Sequence, residues 1–343
     1  MTDATVLVVD GNSLVHRSFH AQAHTGEPAW AVRGLLTQLV AAVDRIRPVG
    51  VVVGFDDPER SLRRERWPQY KANRGEKLDT LVEQLADAVA TLRELGLAVV
   101  VPPGLEADDV LCSTAAVAAR AGARTVVVTS DRDAFALIDD TTCVLRIING
   151  GVEASPLMTP DRLVTLLGVR PEQYRDFAAL RGDPSDNLPG VRGVGPRTAA
   201  RLLAAFGTAR AAFDDLAAVR THLGAGVTAR LAAPGARAAW ELNCQVMTMR
   251  DDVEIGLALD AGPGVLPLPA EVVDRVYRSH RLTWSAGQAV RVLAEVDADV
   301  PVPTYADAGG DDWFPTGTTA PRRVPRLPRA TPRTPSSEQL SLF

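Results

Sequence analysis

Five carboxylates fall in two tight clusters between Gly104 and Asp133. Glu106, Asp108 and Asp109 lie in GLEADDV, and Asp131 and Asp133 close TVVVTSDRD. Arg132 is the only base inside either cluster. Like charges about 4 Å apart repel by about 4 kcal/mol at an effective dielectric near 20, so acids set against apolar runs need a positive counterpart. Hard oxygen donors suit Mg²⁺ or Mn²⁺. A helix N-terminus, where acids favour the dipole, accounts equally well for Glu106 to Asp109 alone. It does not account for the second cluster.

The elements that carry these acids make the case stronger. Thr5–Val9 is an apolar run ending in Asp10; residues 49–55 form another, followed by Asp56. Residues 97–101 form a third run ahead of Glu106, and a fourth delivers Asp131. Helical spacing fills residues 30–46, 78–95 and 110–121 between them. Val-rich strands alternating with helices predict an α/β fold with a mainly parallel sheet covered on both faces. The carboxyl ends of parallel strands share one edge, where open α/β folds place their sites. One strand-end Asp is a common turn residue; four in four strands point to one pocket.

From about Leu157 the pattern turns helical. In RGDPSDNLPGVRGVGPRTAARLL, Gly193-Val194-Gly195 predicts a tight turn and Pro196 the first turn of a helix. Amides freed there can hold a phosphate oxygen without reading a base. Asp183 and Asp186 just upstream would set a duplex backbone beside two more carboxylates. Between residues 59 and 77, seven bases face only Glu59, Glu65 and Glu76, a local charge of +4, with Trp67 and Tyr70 interleaved. Bases with aromatics suit a single-stranded or frayed nucleic-acid end. Tyr70, Lys71 and Arg74 have the spacing of one helical face.

The chain of 343 residues has a net charge of −5, so any nucleic-acid binding must use such local patches. Cys112, Cys143 and Cys244 lack metal-ligand spacing and read as reduced core cysteines of a cytosolic protein. No apolar run reaches bilayer length and no signal peptide is indicated, so no membrane association is expected. Beyond Val300 the chain is rich in Pro, Gly, Thr and Ser, the composition of a disordered tail. It ends in the apolar QLSLF, Gln339 to Phe343, which reads as a docking peptide.

DGNS (Asp10 to Ser13), RSFHA, GFDD, YKANR, GLEADD, TSDRD and GDPSDNLPGVRGVGPRTA occur in order from about Val6 to about Val253. With them the chain resembles the bacterial 5′-nuclease family, the 5′-3′ exonuclease domain at the N-terminus of DNA polymerase I, related to flap endonucleases. It looks like a stand-alone member. The resemblance implies a PIN-like nuclease domain over 1–168, with a basic arch at about 57–80. A helix-three-turn-helix DNA-binding domain over 169–300 and a disordered tail over 301–343 follow. It implies metal-site acids Asp10, Asp56, Glu106, Asp108, Asp109, Asp131, Asp133, Asp183 and Asp186. Tyr70, Lys71 and Arg74 would be catalytic, on a gateway helix beneath the arch. Arg63, Arg64, Gly193, Gly195, Arg197 and Thr198 would bind DNA, and the hairpin's carbonyls could hold K⁺. Arg132 and Arg197 stand where lysine is usual, Ala136 where glutamine is frequent, and Leu35 where an aromatic is expected. No acid is missing.

The terminal peptide resembles the segment by which bacterial replication and repair proteins bind the sliding clamp. Gln339, Leu340, Leu342 and Phe343 would make the contact, and burying the last two would supply about 1.5–3 kcal/mol each before ordering costs. The expected activity is two-metal hydrolysis of phosphodiesters at 5′ flaps, nicks and primer ends, by a monomer in the cytoplasm near the nucleoid. Two rivals are a PIN-type ribonuclease, which needs neither hairpin nor clamp peptide, and a non-catalytic DNA-structure binder recruited by the clamp.

Overall fold

The computed structural model describes residues 4–22 and 29–295. Its centre is a six-stranded sheet: β1 (Thr5–Asp10), β2 (Gly50–Gly54), β3 (Ala98–Val100), β4 (Arg124–Thr129), β5 (Thr142–Arg146) and β6 (Leu157–Met158). The spatial order is β3-β2-β1-β4-β5-β6; the first five are parallel and β6 runs antiparallel to β5. The chain winds outward from β1 to β3 and then returns to β1's other side as β4. The carboxyl ends of β1 and β4 therefore flank a topological switch point, the usual crevice of a doubly wound sheet. The sequence reading places four of these strands; it misses β5 and the two-residue β6.

The period-2 alternation of strand side chains divides the core in two. Leu7, Val9, Val51, Val53, Val126, Val128 and Leu145 face one side. There they meet α1 (Gly11–Gln22), α2 (Trp30–Ile46) and, beyond the short α3 (Leu62–Arg66), α4 (Asp79–Glu94). Val6, Val8, Val52, Val127 and Val144 face the other, against α5 (Ala107–Arg120).

That second core runs on without a break into the helical region. This comprises α6 (Pro160–Leu167), α7 (Tyr174–Arg181), α8 (Pro196–Phe206), α9 (Ala209–Asp214), α10 (Leu216–Leu223), α11 (Ala225–Leu231) and α12 (Ala236–Val246). Phe135, Tyr174 and Phe177 form the bridge, their rings 5.6 and 5.9 Å apart. Aromatics at such spacing bury large areas and fix relative orientation, so the helical region is anchored to the sheet edge that carries Asp131.

The expected helical unit over 169–300 is not one body. From Gly264 the chain returns to the sheet. Val51 N–H donates to Gly264 C=O (2.8 Å) and Leu266 N–H to Val49 C=O (3.0 Å). Helices α13 (Ala270–Ser279) and α14 (Thr283–Leu293) then pack on the first core through Val273, Val276, Tyr277 and Leu293. Apolar positions in these helices show amphipathicity but not which core they join. The tail and Gln339 to Phe343 lie outside the described residues, and among those described no helix is long and apolar enough to cross a membrane.

Candidate active site

Asp10 ends β1 with 5% of its surface exposed. Ser13 N–H (2.8 Å) and Thr129 Oγ1–H (2.7 Å) donate to its carboxylate, fixing the side chain across the switch point. Ser13 Oγ and Ser130 Oγ lie 2.6 Å apart and clip the two strand-end loops together. Just beyond β2, Asp56 accepts from Asn12 Nδ2 (3.1 Å) and from Ala107 N–H (2.9 Å) at the start of α5. Asn12, Thr129 and Ser130 are positioning residues that acid spacing alone does not reveal. Their signal is their place in DGNS and TSDRD.

GLEADD starts a helix and, from the same few residues, turns one acid toward a cleft. Helix α5 begins at Ala107, earlier than expected, and Glu106 with Asp109 forms a capping box: Glu106 N–H donates to Asp109 Oδ2 (3.1 Å). Asp108 points the other way. It lines a cleft with Asp133, Asp186 and Tyr70. Asp131 and Asp133 follow β4, Asp131 exposed and accepting from Asp133 N–H (2.9 Å). Asp183 and Asp186 arrive on a small hairpin pairing Gly182–Asp183 with Leu188–Pro189. Its strands cross so closely that a methyl group on Gly182 (φ 77°) would sit 2.2 Å from Gly190 N. No side chain fits there, and the crossing pins both acids in place.

The electrostatics show that these acids converge. Burial, then repulsion from Asp56 and Asp131 against the local hydrogen bonds, pushes Asp10 up to about 7. Burial, then Asp131 and Asp10, pushes Asp108 well above the carboxylate range. Burial, then Asp131, Asp183 and Asp186, pushes Asp133 up to about 7. Burial raises Asp186 too, although Lys71 and Arg74 oppose it. Segments from Asp10 to Asp186 thus share one field. Asp133 Oδ1 is moreover buried without a hydrogen-bond partner. Among the described residues no three of these acids stand close enough to hold one ion as they are, but carboxylates that raise one another's proton affinity, one with an orphaned lone pair, suit hard divalent cations.

Not every expected ligand fits. Asp109 is wholly buried and takes both Arg63 Nη1 (3.0 Å) and Nη2 (2.7 Å), together with the N–H groups of Glu106 and Arg250 (2.9 Å). Its oxygens are spent, so Asp109 is a structural anion. Arg63, expected to hold DNA, is its partner; it also reaches Glu106 (3.1 Å) and the Val246 and Thr248 carbonyls. Arg64 is exposed, as a DNA contact requires. Glu106 accepts from Tyr70 Oη–H (2.9 Å) and Lys71 Nζ–H (3.0 Å). Burial works against its charge, but Lys71 and Arg63 hold it below its usual value.

The basic stretch departs from expectation in form. Residues 68–73 are consecutive turns, not a helix, with Lys71 at φ 55°. Lys71 N–H donates to Asp186 C=O (2.9 Å), Asn73 Nδ2 to Pro184 C=O (2.9 Å) and Asn187 Nδ2 to Gln69 C=O (2.8 Å). The strap is therefore stitched to the acid-bearing hairpin. Tyr70, Lys71 and Arg74 still converge, because Arg74 pairs with Asp186 while the other two meet Glu106. Burial, then Glu106, drives the Tyr70 phenol far above its ordinary value, so it serves as a donor and not as a base. All three cysteines are free thiols, but only Cys143 is a core residue.

In the metal-free protein Asp10 and Asp133 bind protons more tightly than the unfolded chain does. The stabilisation this gives is complete below the ordinary value of 3.8 and is lost as pH rises through about 7. A divalent cation competes with those protons. The rise in Tm caused by Mg²⁺ should therefore grow from about pH 5 to about pH 8 in differential scanning fluorimetry; an increment independent of pH would remove the acids from the metal site.

An acid-lined switch point joined to a strap of bases and a glycine hairpin is the kind of arrangement that a metal-dependent phosphodiester nuclease requires. Residues 5–168 match the family described as 5′-3′ exonuclease, N-terminal resolvase-like domain, and residues 169–265 match 5′-3′ exonuclease, C-terminal SAM fold. The chain belongs to the 5′-3′ exonuclease family. It is 40% identical over 234 residues to a DNA polymerase I of Mycobacterium bovis, covering 66% of this chain and 26% of that protein. The DNA polymerase I of Pseudomonas aeruginosa is 32% identical over 335 residues, 92% of this chain and 36% of the relative. The chain thus spans about a quarter to a third of the curated relatives it matches.

Solved structures share the fold. T5 5′-exonuclease with bound zinc ions superposes at TM-score 0.51 and 18% identity, covering 85% of this chain and 94% of that one. The catalytic core of Rad2 in complex with DNA substrate gives 0.56 at 15%, covering 85% and 91%.

Proposed function

We propose that this protein cleaves 5′ flaps and trims 5′ ends at nicks and primer junctions, acting on DNA and on primer RNA joined to it. The observation that carries this reading is the shared field of Asp10, Asp108, Asp131, Asp133, Asp183 and Asp186, with Lys71 and Arg74 at its edge. Two divalent ions, Mg²⁺ or Mn²⁺, held by these acids and Asp56 would supply Lewis-acid stabilisation of both the attacking and the departing oxygen.

The chain's own groups do the rest. Lys71 and Arg74 offer N–H donors, now shared with Glu106 and Asp186, to the non-bridging oxygens of the scissile phosphate as charge develops there. Tyr70 stays protonated and keeps Glu106 turned toward Lys71. Asn12, Ser13 and Thr129 hold the acids to within hydrogen-bond tolerance, which orientation-dependent catalysis demands. At the hairpin, the first-turn amides of Arg197 and Thr198 precede the first intrahelical bond, donated by Ala199 to Gly195. They are free for a duplex phosphate, and the nearby carbonyls for K⁺.

The hairpin favours DNA flaps over the simple RNA cleavage of a PIN-type ribonuclease. In this reading the protein acts as a monomer in the cytoplasm, tethered to the sliding clamp by Gln339 to Phe343, so that a weak contact raises the local concentration of nuclease. One assay tests it: a 5′-flap duplex with clamp loaded or absent, with and without Mg²⁺, using the full chain, Asp131→Asn and a chain ending at Glu338. Cleavage should require Mg²⁺, collapse in Asp131→Asn, and lose only its clamp stimulation in the truncated chain. Undiminished cleavage by Asp131→Asn would overturn the metal assignment, and preference for single-stranded RNA would favour the ribonuclease.

A further inference from the structure

Gly193 shapes the hairpin's turn at φ 78°, yet its lack of a side chain matters for a second reason. A methyl group there would stand 3.1 Å from Nε and 3.3 Å from Cδ of Arg230. Arg230 belongs to α11, remote in sequence, and packs the stem of its side chain against the turn at Gly193. The residue is exposed, and among the described residues it has no carboxylate partner.

The surroundings share this bias. From Asn187 to Trp240 the chain carries seven arginines against Asp214 and Asp215 alone, in a protein whose net charge is −5. Arg237 is paired, with Asp214 and Glu241. Arg192, Arg197 and Arg201 beside the hairpin are exposed and, like Arg230, form no ion pair among the described residues. Arg197 and Arg201 are four apart on α8 and share a face. Guanidiniums left unpaired around a turn with free amides repel one another unless an anion of repeating charge lies across them. Carboxylates could have been placed there, as they are around Arg237.

We propose that Arg230 is a duplex-phosphate ligand, which extends the hairpin's grip from one helix start to two helices. It acts with Arg197 and Arg201 on adjacent phosphates of the duplex held outside the active site. The inference rests on the DNA reading above. Arg230 lies outside the cluster of acids, so it serves binding and leaves the chemical step alone. Each phosphate neutralised releases about 0.9 of a counterion on B-DNA, so its loss has a specific signature in salt.

The experiment is a salt titration of binding to the flap duplex, with Ca²⁺ in place of Mg²⁺, beside single-turnover cleavage at saturating substrate. Arg230→Met keeps the stem that packs on Gly193 and removes the charge; Arg230→Lys keeps the charge. For Arg230→Met the slope of log K against log salt should fall in magnitude by about 1, with about tenfold weaker binding at moderate salt. The saturating cleavage rate should match that of the unaltered protein. Arg230→Lys should restore the slope. An unchanged slope in Arg230→Met, or a lower saturating rate with binding intact, overturns the role while flap cleavage by the unaltered protein stands. If the unaltered protein binds no duplex, this inference and the functional reading both fall.

Discussion

Asp108→Asn should abolish flap cleavage and, in the absence of metal, make the protein harder to melt. Both effects have one cause. Asp108 lines the cleft with Asp133 and Asp186, and burial together with Asp131 and Asp10 penalises its charge. An amide of the same shape removes that repulsion, so the folded state gains relative to the unfolded one. The stabilisation should grow as pH rises above the ordinary carboxylate range, because the folded protein resists the charge on Asp108, and should vanish at low pH, where Asp108 is protonated in both states. The same amide is a poor ligand for a divalent cation, so cleavage should fall by about 10²–10³-fold or more. Thermal melts in EDTA and single-turnover cleavage in Mg²⁺ read the two halves separately. A lower melting temperature in EDTA would mean that Asp108 supports the fold; cleavage at the wild-type rate would mean that it does not serve the metal. Sites that must hold charge before their counter-ion arrives trade stability for function, and the two readouts test whether Asp108 is such a place.

How much of this was open to reading depends on the kind of signal. Asp10, Asp56 and Asp131 are legible because a short Val-rich run with an acid at its end has few meanings, and parallel strands bring their ends together. Asp183 and Asp186 are legible from their nearness to GVG. The form of the strap is not. Tyr70, Lys71 and Arg74 fit a helical face by spacing, but Lys71 takes a left-handed conformation because its backbone bonds Asp186, a contact across more than a hundred residues. Local spacing carries no information about such a tertiary override. The return of α13 and α14 to the first core is hidden for the same reason. So is the role of Arg63, since a basic residue in a basic stretch looks like every other until its partners are known.

Asp109 is the sharpest case of two neighbours with opposite duties, and Asp109→Ala should destabilise the fold by about 3–5 kcal/mol. The carboxylate is wholly buried and meets Arg63 through two parallel bonds, the strongest geometry available to a carboxylate. Removing it takes from a guanidinium only 11% exposed its two-bond partner, leaving Glu106, already shared with Lys71, as its one carboxylate, and leaves the N–H groups of Glu106 and Arg250 without acceptors. Typical domains have about 5–15 kcal/mol in hand, so this one change removes a large share. The loss is structural in origin, because Arg63 ties the strap to α5 and to the chain beyond α12. Chemical denaturation of Asp109→Ala, Arg63→Met and the double variant gives the coupling: the double should cost clearly less than the two singles together, since no charge is then buried alone. Isothermal titration should find Mg²⁺ still bound by Asp109→Ala below its melting temperature. A variant as stable as wild type that has lost Mg²⁺ binding would return Asp109 to the metal site and remove Arg63 from the framework.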